Sequence, residues 1–245
     1  MILAILQARV SSARLPNKVL RPILGQPMLS HQIARIKQSK RIDKLVLATS
    51  NEDSDKPLVT LASALHIESF QGSLNDVLSR FYHCAKQHQA SHIVRLTGDC
   101  PLADAQIIDQ VIDSHLSNHS DYSSNCHPAT FADGFDVEVM TFAALEQAYQ
   151  LAHEPEMREH VTLYLAKHNN LAKSNVTTCP DTSEFRVTVD NLADFELVEQ
   201  IFLDMVKHKK EYHYQDIIDW LQANPKASRA NRQYTRNETL PSCYK

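Results

Sequence analysis

The sequence predicts an α/β fold built on a mostly parallel sheet, and three observations carry that prediction. Strand-like runs alternate with helix-period segments through the first half of the chain, the pattern of βαβ units. The opening apolar run, Ile2 to Leu6, has the length of one buried strand. The 245 residues are 43% hydrophobic, enough for a sizeable core and too apolar for global disorder.

The elements follow in order. After the first strand and a basic loop, Met28 to Gln38 reads as a helix with Leu29, Ile33 and Ile36 near one face. Lys44 to Thr49 is a second strand, ending in a polar cluster, Ser50 to Asp53. Pro57 suits a helical first turn, continued by Leu58, Leu61, Ala62 and Leu65. His66 to Phe70 is a third strand, and Ser73 or Asn75 is expected to cap the helix carrying Val77, Leu78, Phe81 and Ala85. His92 to Leu96 is the next strand, and Asp104 opens a helix presenting Ile107, Ile108, Val111, Ile112 and His115. Tyr122 to Thr130 reads as irregular and Phe135 to Met140 as a strand. Helices are expected over Phe142 to Ala152 and Pro155 to His168, and a late strand over Phe185 to Val189. Phe195 to Met205 and Tyr214 to Leu221 close the set. From Asn224 the chain turns polar, so the reading is one domain over 1–223 and a surface tail over 224–245.

Composition excludes several classes. The net charge of −4 gives no chain-wide basic signal for nucleic acid. No apolar run is long enough to span a membrane, and the N-terminus lacks signal-peptide features. Five scattered cysteines without a CxxC pair indicate neither a zinc site nor a disulfide framework, and a reducing cytoplasm fits them.

Three features at strand ends carry chemistry. The loop after the first strand holds Arg9, Arg14 and Lys18, just past the carboxyl end where open α/β sheets bind ligands. With no glycine before Gly25 it is neither a Walker loop nor a GxGxxG turn, so side chains must grip phosphate. Asn17 can supply a left-handed backbone there. Asp99, in LTGDCPL, and Asp190, in FRVTVDNLADFELV, each follow a strand. Singly each reads as a cap or turn residue; together they read as ligands to magnesium, which typically takes one or two carboxylates.

The ordered set QARVSSARLPNKVL, LATSNEDSD, FQGSLNDVLSRF, IVRLTGDCPL, GFDVEVMTFAALEQA, REHVT and FRVTVDNLADFELV resembles the sugar-acid cytidylyltransferases. These include the CMP-KDO and CMP-sialic acid synthetases, and the resemblance is stronger to the branch named after spore coat polysaccharide biosynthesis protein F. It runs from about Ile2 to Ile218. It implies a three-layer αβα, Rossmann-like nucleotide-diphospho-sugar transferase fold with a mostly parallel sheet. It implies that Arg9, Arg14 and Lys18, with Gln7, Ala8 and Ser12, hold the nucleotide triphosphate. Gly72, Ser73 and Asn75 match a segment near the base, with Arg80 a phosphate ligand or a salt-bridge partner. Asp99 and Asp190 match the metal-holding aspartates, here for Mg²⁺. Asp136, Glu138, Arg158 and His160 are candidates for the sugar pocket, each with a plain alternative as strand-face polarity, exposed helix charge or core histidine.

Two departures stand out: Asn17 where many members have Gly, and Cys100 in GDCPL where CMP-KDO synthetases read GDEPL. The expected reaction is attack of a sugar hydroxyl on the α-phosphate of CTP, with Arg14, Lys18 and Asp99 as the catalytic set and a CMP-sugar as product, for glycan synthesis. The alternatives are a glycosyltransferase of the same fold and a non-catalytic nucleotide binder. A homodimer through the Tyr122 to Thr141 region is a further implication of the resemblance.

Overall fold

The apolar stretch at the N-terminus becomes the middle of a sheet. In the computed structural model, which describes residues 1–236, β1 (Ile2–Gln7) lies between two parallel neighbours, with Ile5 opposite Val46 on one side and Arg95 on the other. Those neighbours are β4 (Lys44–Ser50) and β6 (His92–Thr97). A short antiparallel hairpin, β2 (Pro22–Ile23) and β3 (Gln26–Pro27), stands apart. The seven-stranded sheet is completed by β5 (Glu68–Gly72), β7 (Tyr122–Ser124), β8 (Glu138–Thr141) and β9 (Lys173–Asn175), in the order β5-β4-β1-β6-β8-β7-β9. Only β8 runs against the rest.

Helices cover both faces, which is why β1 is apolar at every interior position. Ala4 and Leu6 join the core with α1 (Met28–Ile36), α2 (Lys56–Ala64), α4 (Ala105–Ser117) and the late helix Leu192–His208. Leu3 and Ile5 face the opposite core, built on α3 (Val77–Gln87) and α5 (Phe142–Leu151). The remaining helices are α6 (Pro155–Glu159), α7 (Leu163–Lys167), α8 (the Leu192–His208 helix), α9 (Tyr214–Ala223) and α10 (Pro225–Ser228). From β1 the chain winds outward through β4 to β5, then crosses back to place β6 on the other side of β1. Strand order therefore reverses between β1 and β6, and a crevice opens at their carboxyl ends.

Several expectations need correcting, each for a local reason. The Tyr122 to Thr130 stretch is not all irregular: Tyr122–Ser124 is β7, paired on both sides, with a sequence too short to show alternation. The expected strand at Phe135 begins only at Glu138, because the Asn125 side chain takes the Phe135 carbonyl and the Val137 N–H that a ladder would use. Phe185 to Val189 forms no regular strand. Its backbone bonds instead to Asp133 and Asp99. The helix expected over Pro155 to His168 is broken into α6 and α7 at Val161, whose φ is 51°. The third strand starts two residues late because His66 sits in a turn with φ of 54°. Asp76, not Ser73 or Asn75, caps α3 by accepting from the Ser79 N–H. Asn191, paired with Asp194 in a capping box, caps α8 in place of Asp190.

Most of the region 122–141 is buried within the chain, with only His127 and Pro128 exposed. The tail is not a free surface arm over its described part either: Asn231 is buried. Residues 237–245, including Cys243, lie outside the described residues. No helix among those described is long and apolar enough to cross a membrane.

His115 shows what the polar core costs. Its Nε2 is 3.0 Å from His92 Nδ1, and its Nδ1 is 3.0 Å from Ser123 Oγ, which in turn meets Ser174 Oγ. Burial, helped by the neighbouring His92, lowers its pKa to about 4. An unfolded imidazole titrates near ~6.5, so between those values the unfolded chain binds more protons. Stability should therefore be full above about pH 6.5 and fall by up to about 3 kcal/mol as pH drops towards 4. Urea midpoints at several pH values measure this. His115→Gln should flatten the slope, and an unchanged slope would refute the assignment.

Candidate active site

The basic loop is held in place from β4. Val10 N–H donates to Asp55 Oδ1 at 2.7 Å, and Asp55 also accepts from the Thr49 hydroxyl and the Ser50 N–H. Burial works to raise the Asp55 carboxyl, but these bonds outweigh it and lower its pKa. The loop then turns at Asn17, whose φ of 58° and ψ of 20° are the left-handed conformation expected of it. That turn sends Lys18 inward to become largely buried.

Lys18 is the hub of the crevice. Its Nζ donates to the Val189 carbonyl at 2.8 Å and to Asp190 Oδ1 at 2.9 Å, and lies 3.4 Å from Asp99 Oδ2. Burial would lower its pKa, but the two carboxylates prevail and raise it. Burial likewise pushes Asp99 up, yet Lys18 and hydrogen bonds from Thr97 and Cys100 hold it down at about 2. Arg14 Nη2 meets Asp190 Oδ1 at 2.9 Å. Gly98 is required here: its N–H donates to the Gln7 carbonyl at 2.8 Å, and a Cβ would stand 2.8 Å from Ala8 Cβ. The loops after β1 and β6 can thus touch.

The far wall is acidic. Gly134, at φ of 114°, lets the 131–137 loop meet the 185–190 segment; a Cβ there would lie 2.6 Å from Thr188 N. Arg186 ties the wall together, reaching Asp133 Oδ2 at 2.6 Å, Asp190 Oδ2 at 2.9 Å and Asp194 Oδ1 at 3.1 Å. Glu138 pairs with Arg95 and accepts from the Tyr122 hydroxyl. Burial, then Asp136, drives the Asp133 carboxyl up to about 7. Together these residues enclose a cavity of about 530 Å³.

The structure gathers most of the residues singled out in the sequence. Gln7, Ala8, Arg9, Ser12, Arg14, Lys18, Arg80, Asp99, Asp136, Glu138, His160 and Asp190 all line this cavity. Gly72, Ser73, Asn75 and Arg158 do not. Gly72 ends β5 and Ser73 supports Arg80, whose Nη1 donates to the Ser73 carbonyl at 3.1 Å. Arg158 lies outside because Asp76, the Tyr149 carbonyl and the Tyr149 ring hold it against α3 and α5. Arg80 is buried, and burial with Arg9 nearby lowers its pKa to about 10. Burial lowers the His160 pKa too. Cys100 packs in the wall, with its thiol pushed up by burial and Asp99.

Sequence reasoning missed Asp55, Arg186 and Asp133. The signal for Arg186 was present, an arginine amid the apolar FRVTV run. Asp55 and Asp133 showed none: Asp55 sits in an ordinary polar stretch, and Asp133, in the run FADGF, follows no recognisable strand.

A family model described as cytidylyltransferase matches residues 3–223. The chain belongs to the cytidylyltransferase family. A protein of Methanocaldococcus jannaschii described as uncharacterised is 37% identical over 235 residues, covering 94% of each chain. The spore coat polysaccharide biosynthesis protein SpsF of Bacillus subtilis is 32% identical over 241 residues, 93% of this chain and 96% of that one. These matches place the chain on the SpsF branch of the sugar-acid cytidylyltransferases. A solved cytidylyltransferase from Leptospira borgpetersenii superposes with a TM-score of 0.87 at 31% identity, covering 98% of both chains. A CMP-2-keto-3-deoxy-manno-octonic acid synthetase complexed with CTP shares the fold, with a TM-score of 0.62 at 16% identity over 83% of this chain and 98% of that one.

Two outcomes follow from this cytidylyltransferase site. Arg186→Ala leaves three carboxylates short of their shared cation and should cost about 3–5 kcal/mol, read from urea unfolding. Asn17→Gly should fold as well as the parent, whereas Asn17→Val, β-branched at positive φ, should lose about 1–2 kcal/mol. Equal stability of the two Asn17 variants would refute the role given to that turn.

Proposed function

We propose that this cytidylyltransferase activates a 2-keto-3-deoxy sugar acid with CTP. The sugar's anomeric hydroxyl oxygen bonds to the α-phosphorus and releases its proton to solvent, the bond from that phosphorus to the β-phosphate bridging oxygen breaks, and pyrophosphate leaves with its electron pair. The product is a CMP-sugar. The observation that carries this reading is Lys18 set between Asp99 and Asp190 at the β1/β6 crevice, with Arg9, Arg14 and Arg80 on the same cavity. Family membership and the CTP named with the CMP-sugar-acid synthetase structure support it.

Phosphoryl-type transfer is mostly positioning and charge stabilisation. Arg14 and Lys18 would exchange part of their contact with Asp190 for the charge of the leaving pyrophosphate. Arg9 and Arg80 would take further phosphate or base-proximal contacts, with Gln7, Ala8 and Ser12 shaping the loop around them. Neutral His160, with Asp136 and Glu138, would contact the sugar.

Asp99 and Asp190 suit a magnesium ion. Both present hard oxygen donors to the cavity, and Asp99 stays ionised. Two carboxylates are what magnesium typically takes from a protein, the rest of its shell being water and phosphate. When bound, such an ion supplies charge neutralisation at the triphosphate.

The test is pyrophosphate release across CTP, UTP, ATP and GTP with a panel of sugar acids. CTP with a keto-deoxy acid should be consumed; a glycosyltransferase would release no pyrophosphate. Asp99→Asn and Asp190→Asn should each lower turnover about 10²-fold or more with an intact thermal transition. Full activity of either would overturn the carboxylate assignment.

A further inference from the structure

The C-terminal segment comes back to the cavity. After α9 and α10 the chain reverses, and Asn231 Nδ2 donates to the Arg186 carbonyl at 3.1 Å and to Asp194 Oδ1 at 2.8 Å. This anchors the segment on the arginine that organises the acidic wall. Five residues later Arg236 reaches the same wall from behind. Its Nη2 donates to the Phe131 carbonyl at 3.0 Å and lies 3.2 Å from Asp136 Oδ1, and its Nε lies 3.7 Å from Asp133 Oδ1. Asp133 and Asp136 line the cavity; Arg236 does not.

The other cations of this wall are engaged elsewhere. Arg186 divides itself among Asp133, Asp190 and Asp194, and Arg95 is taken by Glu138. Arg236 is the cation paired with Asp136. Asp136 Oδ1 is fully covered on that side, while the side chain as a whole keeps 31% of its surface. The open part of Asp136 therefore fronts the cavity. Neither Asp136 Oδ1 nor Arg236 Nη1 has a hydrogen-bond partner among the described residues, so charge attraction rather than a saturated hydrogen-bond network joins them.

We propose that Arg236 is a positioning residue for the acceptor, holding Asp136 by one carboxylate oxygen and leaving the other to accept a hydrogen bond from a hydroxyl of the sugar. The C-terminal segment is then a wall of the acceptor half of the site. Burial raises the Asp136 carboxyl and Arg236 opposes that rise; a polyhydroxylated ligand supplies a donor that the open carboxylate oxygen can accept from. The bonds of Asn231 and Arg236 go to the acidic wall and not to Arg9 or Arg80 of the nucleotide half. The inference rests on the reading of the cavity as a CTP and sugar site.

The test uses the full chain with Arg236→Met and Arg236→Lys. With the best acceptor of the parent enzyme, Met should raise the acceptor KM about tenfold or more, the loss of one charge-assisted contact, and leave the CTP KM within about twofold. Lys should recover part of the loss, since it restores a point charge without the fork. If both KM values move together, or neither moves, the positioning role is overturned.

A double-mutant cycle of Arg236→Met and Asp136→Asn, read as urea midpoints, reports the pair without turnover. Non-additive midpoints support the contact, and additive ones overturn it. Should the parent release no pyrophosphate with any sugar, the CTP and sugar reading fails and the acceptor role fails with it. The cycle then separates that failure from a failure of the Arg236–Asp136 contact itself.

Discussion

A single buried ammonium joins the parts of this molecule that are far apart in sequence. Lys18 lies in the loop after β1, Asp99 after β6, and Val189 and Asp190 immediately before α8. Burying one lysine is unfavourable unless its charge is met. Here two carboxylates and a carbonyl meet it, and in doing so they fix where three loops end. The crevice at the strand-order reversal gets its floor from that arrangement, and Gly98 lets the β1 and β6 loops approach closely enough to form it.

Around the hub the charges divide by side. The β1 loop carries cations to the cavity, and Asp55, in the turn after β4, holds that loop without facing the cavity itself. The opposite wall carries carboxylates, gathered by Arg186 and paired at Glu138 with Arg95. In the proposed reaction the first side takes the triphosphate and the second the sugar.

Much of this was legible in the chain. The first four parallel strands, the helices between them and the Asp104 cap follow from hydrophobic period and capping chemistry, which are local. Arg14, Lys18, Asp99 and Asp190 were legible because functional side chains in open α/β sheets cluster at strand ends, and strand ends can be found from pattern. The failures share a cause. Asn125 replaces a ladder at Phe135 and Val137, and Asp133 replaces one at Phe185 to Val189. In both places a distant polar group satisfies backbone that sequence reading had assigned to a neighbouring strand. Arg158 was misplaced for a similar reason: Asp76, distant in the chain, and the Tyr149 ring claim it before the cavity can.

What the sequence by itself determined is the parallel α/β layering, the strand ends whose side chains gather at the cavity, and the family that the ordered motifs identify. These depend on the spacing of side chains along one segment. What only the tertiary structure decided is which charges meet: that Lys18 spans two aspartates, that Arg186 serves three, and that Asn231 and Arg236 bring a polar tail back onto the acidic wall. A buried charge settles where its partners are, and partners brought from the far end of the chain leave no periodic trace in the residues around it.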